Sequence, residues 1–169
     1  MSNTSLHLIP ASQPIKIAFL GCGKIAKSHS KTLKKFKETT LYFASRSAAK
    51  AQSFNAELKG AGYFDSYEKA ISAPEIDVIF ITTPPDIHLD WTLKAMEAGK
   101  HVIVEKPPFL KSTDFDTIMA LQKTTRTQVM IAENYFYKPN LRRLRALLET
   151  NVIGTPKFLY FNATKKQTN

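Results

Sequence analysis

Residues 15–26, IKIAFLGCGKIA, join a short apolar run to a pair of glycines and the start of a helical pattern. The bare pattern GxGxxA is weak. Directly after a strand and opening a helix, it points to a dinucleotide-binding loop. Gly21 allows the tight turn, and Gly23 lets the backbone approach a pyrophosphate. Ala26 stands in for a third glycine and is small enough for close helix–strand packing. The helix beginning at Lys24 and Ile25 offers free N–H groups and a positive dipole end to phosphates. Cys22 has two readings: a reactive thiol at a helix start, or a small residue that fits the loop.

Outward from this loop the chain alternates between two textures. Short β-branched or aromatic runs read as buried strands: IKIAFL (15–20), TLYFA (40–44), DVIFIT (77–82), HVIVE (101–105) and QVMIA (128–132). Amphipathic stretches of helical length lie between them, at 24–37, 47–58, 86–99 and 112–125. GYFDSYEKAIS reads as a weak strand and a short helix. Strands alternating with helices imply βαβ units and a parallel sheet. Runs that are apolar on both faces imply helices on both sides. The expected fold is α/β: a doubly wound Rossmann dinucleotide-binding domain with a mostly parallel sheet over residues 15–137. Residues 1–14 read as a lead-in ended by Pro14. Gly99 is a helix stop, and Ser112-Thr113-Asp114 is an expected helix cap.

A helical run, LRRLRALLET, follows Pro139, and Gly154-Thr155-Pro156 leads into KFLYFNAT. That last segment reads as a strand apolar on both faces, which needs a large sheet to cover it. Residues 138–169 are therefore expected to be a connecting helix and the first strand of a second α/β domain. On that expectation the chain is the first, truncated part of a longer enzyme.

The chain has 169 residues, of which 43% are hydrophobic, ordinary for a globular protein. Its one cysteine excludes an internal disulfide and suits a reducing compartment. No basic leader precedes an apolar run, and no apolar run is long enough to span a membrane. The expected location is cytoplasmic. The formal charge is +10, which favours anionic partners. Lys24, Lys27, Lys31, Lys34 and Lys35 recur at helical spacing. They read either as a solvated helix face or as a nucleic-acid surface. The second reading lacks aromatic interleaving and a recognisable reading motif, so no nucleic-acid partner is expected.

FASRSAAK, residues 43–50, follows the second strand. An enzyme using NAD places Asp or Glu there for the ribose hydroxyls, and one using NADP places an Arg near the 2′-phosphate. This chain has Ser45 and Arg46, with Lys50 one turn on. They read as a 2′-phosphate site, with an ordinary loop arginine as the alternative.

Two more stretches lie at the carboxyl ends of strands, where ligands bind in open α/β sheets. In TTPPDIHLD (82–90), Thr82, Thr83 and Pro84 form a stiff turn before His88. A histidine there is more often structural than catalytic. In HVIVEKPPF (101–109), Glu105 and Lys106 end a buried strand. Lys106 could exchange a proton with an alcohol oxygen. The alternative is a surface Glu105–Lys106 ion pair.

Together GCGKIA, the SR after the second strand, TPPDIH, AGKHVIVEKP, AENYFYKP and IGTPKFLYF resemble the Gfo/Idh/MocA oxidoreductases in order and spacing. The resemblance covers residues 15 to about 163, and AGKHVIVEKP is its most specific part. It implies a Rossmann domain joined to a C-terminal α/β domain with an open sheet. It also implies hydride transfer between NAD(P) and a hydroxyl or carbonyl carbon of a sugar, polyol or related small molecule. By this resemblance Lys106 is the catalytic lysine, and Thr83, Pro84, His88 and Glu105 line the nicotinamide side. The Lys106–Pro107 bond is allowed to be cis, and Asn134 and Tyr135 lie near the active-site crevice. Many relatives carry an arginine where this chain has Phe136. The family's proton-transfer histidine and its aspartate neighbour would belong to the C-terminal domain.

The leading reading is an NADP(H)-dependent dehydrogenase or reductase, with NAD as the other possible cofactor and no metal. A homo-oligomer is expected at full length. The second reading is a non-catalytic NAD(P)-binding sensor or accessory subunit.

Overall fold

The computed structural model describes residues 13–160 and 162. The first strands and helices run β1 (Ile15–Leu20), α1 (Lys24–Leu33), β2 (Thr39–Ala44), α2 (Ala48–Leu58), β3 (Gly62–Phe64) and α3 (Tyr67–Ser72). After β4 (Val78–Ile81), a short 3-10 turn at Pro85–Ile87 leads into α4 (His88–Glu97), and β5 (His101–Val104), α5 (Ser112–Thr125) and β6 (Val129–Ile131) follow. All six strands are parallel, in the order β3-β2-β1-β4-β5-β6. The order reverses between β1 and β4, the switch point where ligands bind in such sheets.

Alternation along each strand makes the sheet doubly covered. Ile17, Phe19, Leu41, Phe43, Val78 and Phe80 face one core with Ala26 of α1 and Leu58 of α2. Ala18, Leu20, Ile79, Ile81, Val102 and Val104 face the other, with Ala70 of α3, Met96 of α4 and Ile118 of α5. Phe19 is fully buried and stacks on both Phe43 and Phe80. Such a ring contributes roughly 2–3 kcal/mol by burial alone.

Several boundaries differ from the sequence reading for local reasons. α1 stops at Leu33 rather than 37, because the Thr39 hydroxyl donates to the carbonyls of Leu33 (2.9 Å) and Phe36 (3.1 Å). The stretch from 86 is divided, with the 3-10 turn after Pro84 and Pro85 preceding α4. α5 is capped at Lys111, whose N–H donates to the Asp114 carboxylate at 3.0 Å, so Asp114 is the only member of the expected Ser-Thr-Asp cap used in that way.

The chain divides into two compact units after Ala132. The second contains α6 (Pro139–Glu149) and the turn 134–137. The expected strand KFLYFNAT is not found among its described residues. Residues 158–160 are exposed and pair with no strand, while residues 161, 163 and 164 lie outside the described residues. A strand exists only through pairing, so apolar alternation without a neighbouring strand is not sufficient. Residues 1–12 of the lead-in also lie outside the described residues.

Candidate cofactor and active site

The glycine loop sits at the switch point. Gly21 adopts φ +106, and a Cβ there would meet the Thr82 carbonyl oxygen at 3.0 Å. That conformation and contact require glycine. Gly23 differs: its φ is −112, open to any residue, and nothing lies within 4 Å of a Cβ built on it. Its missing side chain leaves room in front of the α1 amino terminus. Lys24 and Ile25 are exposed there, while Ala26 is buried against the sheet. Cys22 is buried, and its thiol donates to the Ala44 carbonyl at 3.6 Å. Burial pushes its pKa up to about 11, with Lys50 pulling the other way, which fits the loop-filling reading of this thiol.

At the end of β2, the buried Ser45 hydroxyl accepts the Ser47 N–H at 3.2 Å, and Ser47 accepts the Lys50 N–H to cap α2. Among the described residues the Ser45 hydroxyl has no acceptor for its own proton. Arg46 is exposed, and its charge lies near the Tyr67 hydroxyl. Burial raises the Tyr67 pKa, and the Arg46 charge offsets part of that rise. Tyr67 thus approaches Arg46 from α3, a neighbour absent from the sequence reading. Its only signal there was a tyrosine at the start of a short helix.

The end of β4 separates two threonines. The Thr82 hydroxyl donates to Leu20 O at 2.9 Å, with Gly21 O at 3.1 Å, so it holds the glycine loop. The Thr83 hydroxyl is buried without a partner among the described residues. Such a group wants a ligand or a water. Pro84 starts the 3-10 turn. His88 is buried with both ring nitrogens facing carbonyls, Nδ1 to Pro107 O at 3.0 Å and Nε2 to Thr83 O at 2.8 Å. It clasps the threonine turn to the lysine turn.

At the end of β5, the Glu105–Lys106 ion pair of the alternative reading does not form among the described residues. Glu105 is 7% exposed, and its carboxylate accepts from His29 Nε2 at 2.5 Å and from the Lys106 backbone N–H at 2.9 Å. The Lys106 ammonium is exposed and has no ion pair or hydrogen bond among the described residues. The Lys106–Pro107 bond is cis. His29 escaped the sequence reading because its partner lies 76 residues away. Asn134 belongs to the second unit, exposed in the turn 134–137.

The family model of the Gfo/Idh/MocA proteins, described as an oxidoreductase family with an NAD-binding Rossmann fold, matches residues 15–133. The chain belongs to this family. Within the Gfo/Idh/MocA family it is 33% identical over 146 residues to the dTDP-3,4-didehydro-2,6-dideoxy-alpha-D-glucose 3-reductase of Saccharopolyspora spinosa, covering 84% of this chain and 43% of that protein. Among solved structures, scyllo-inositol dehydrogenase of Lactobacillus casei with NAD(H) and scyllo-inositol superposes with TM-score 0.75 and 23% identity, covering 84% of this chain and 43% of the other. A 3-ketoreductase of Actinomadura kijaniata in complex with NADP and TDP-benzene gives 0.76 and 24%, covering 83% and 43%. The chain thus spans less than half the length of these Gfo/Idh/MocA proteins. No described helix is long and apolar enough to cross a membrane, and the described residues contain no metal-ligand cluster.

Proposed function

We propose that this chain is the cofactor-binding part of an NADP(H)-dependent oxidoreductase acting on a hydroxyl or carbonyl carbon of a sugar, polyol or related small molecule. The observation that carries the cofactor choice is the turn after β2. Ser45 and Arg46 occupy it, and no carboxylate does. A carboxylate would repel a 2′-phosphate, whereas a guanidinium can bind two of its oxygens and the Ser45 hydroxyl can donate a further bond. Lys50 adds charge from the first turn of α2. The relatives with NADP and with NAD(H) leave both cofactors within the family's reach, and the turn chemistry favours the first.

The remaining residues fit a dinucleotide. The open space at Gly23 suits a pyrophosphate on the α1 amino terminus. The unpartnered Thr83 hydroxyl and the free Lys106 ammonium suit the nicotinamide end. A bound nicotinamide supplies the hydride chemistry. Lys106 supplies a preorganised positive charge for the substrate oxygen and a proton where one is needed. In the same reading residues 138–169 open the substrate domain.

Titration of the chain with NADPH and NADH tests the assignment. NADPH is expected to bind at least about tenfold more tightly. Arg46→Ala should weaken NADPH about tenfold or more and leave NADH nearly unchanged; equal losses would make Arg46 an ordinary loop residue. In the complete enzyme, Lys106→Ala should lower kcat far more than it weakens NADPH binding, and unchanged turnover would remove the lysine from the mechanism.

A further inference from the structure

We infer that His29 is a positioning residue for the lysine turn: it holds the Glu105 carboxylate where that carboxylate receives the Lys106 backbone N–H, tying the helix after the glycine loop to the turn that carries the lysine. The inference rests on reading Lys106 as the catalytic lysine.

His29 lies on α1 on the same side as Ala26, Ser30 and Leu33. Its ring packs 4.8 Å from Phe80 of β4, which fixes its plane between α1 and the sheet. From there Nε2 reaches Glu105 Oε1 at 2.5 Å. A carboxylate only accepts hydrogen bonds, and a buried one is costly unless its oxygens have donors. Glu105 has a donor on each side. Oε1 takes the histidine, and Oε2 takes the Lys106 N–H at 2.9 Å.

The second bond falls at a particular place in the backbone. The Glu105 N–H still donates across the sheet to Ile81 O at 3.0 Å. The next N–H, that of Lys106, has left the ladder and finds the Glu105 side chain instead. The carboxylate therefore carries the sheet's order one residue further. Because His29 and the Lys106 N–H between them occupy it, the carboxylate is also withdrawn from the Lys106 ammonium. Without His29, the buried carboxylate would have to rotate toward solvent or toward that ammonium. Either movement releases the turn.

Site-resolved amide exchange and ligand titration on this chain test the inference, with His29→Leu and His29→Gln compared; Gln keeps a side-chain N–H donor. His29→Leu should speed exchange at the Lys106 amide about tenfold, with the Val102 and Glu105 amides unchanged. It should weaken NADPH about threefold to tenfold and leave 2′,5′-ADP, which lacks the nicotinamide half, unaffected. His29→Gln should restore both values toward wild type. Unchanged exchange at Lys106 overturns the inference, as does a rise shared by Val102 and Glu105, a joint loss of both ligands, or no rescue by Gln. A wild-type chain that binds neither ligand overturns the dinucleotide reading instead, and the exchange pattern still decides the role of His29.

Discussion

Lys34 and Lys100 stand near the amino ends of the strands, and Lys106 stands at the carboxyl end of one. Lys34 Nζ reaches the carbonyl of Leu58 at 2.5 Å, at the last turn of α2, where a cation also meets the negative end of the helix dipole. Lys100 Nζ takes two carbonyls, of Ala73 and Ile76, each at 2.7 Å. Burial lowers its pKa, and Asp77 and Glu75 act against that shift. Lys106 has no such partner among the described residues. Even the cavity of about 240 Å³ at the amino end, lined by Lys34, Thr39, Lys59 and Gly60, offers an ammonium already committed to backbone. Polar groups spent on the chain's own carbonyls stabilise the fold. Those left over at the opposite end, Thr83, Arg46 and Lys106, are the ones that can meet a ligand.

Substitutions at the two ends should separate stability from binding. The largest effect is expected where both coincide. Gly21→Val must adopt a left-handed φ and meets the Thr82 carbonyl, so it should cost about 3 kcal/mol and abolish dinucleotide binding. A thermal melt with a parallel titration measures both, and an unchanged melting temperature would contradict the loop geometry. Lys100→Met tests the amino end alone. Removing the donor from two carbonyls should cost about 2 kcal/mol of stability while NADPH affinity stays the same. Loss of affinity at unchanged stability would erase the distinction between the ends. Gly23→Val tests the carboxyl end alone. Its φ is open to valine and its side chain meets nothing, so the melt should stay at wild type. NADPH affinity should fall about tenfold, or about 1.4 kcal/mol. A normal affinity would show that no ligand uses that space.

Much of the architecture was legible in local patterns. IKIAFL coincides with β1 and residues 112–125 with α5, because strand and helix periodicities are set by which faces each element buries. The glycine pair was legible because a tight turn has few solutions. Apolar alternation misled at KFLYFNAT, since pairing depends on a partner strand and not on the segment itself. Within the site, the sequence places Gly21, Gly23, Ser45, Arg46 and Lys106 at strand ends, but it could not say how their neighbours are used. Thr82 and Thr83 are adjacent and identical, yet one hydroxyl holds the loop and the other has no partner among the described residues.

The sequence by itself determined the order of strands and helices, the glycine turn and the absence of a carboxylate after β2, all consequences of short-range sterics and side-chain chemistry. Only the tertiary structure decided that Glu105 joins His29 rather than the Lys106 ammonium, that His88 clasps two turns, and that Tyr67 lies near Arg46. The His88–Pro107 and His29–Glu105 pairings span 19 and 76 residues. They exist only because the parallel sheet brings the carboxyl ends of distant strands to one edge.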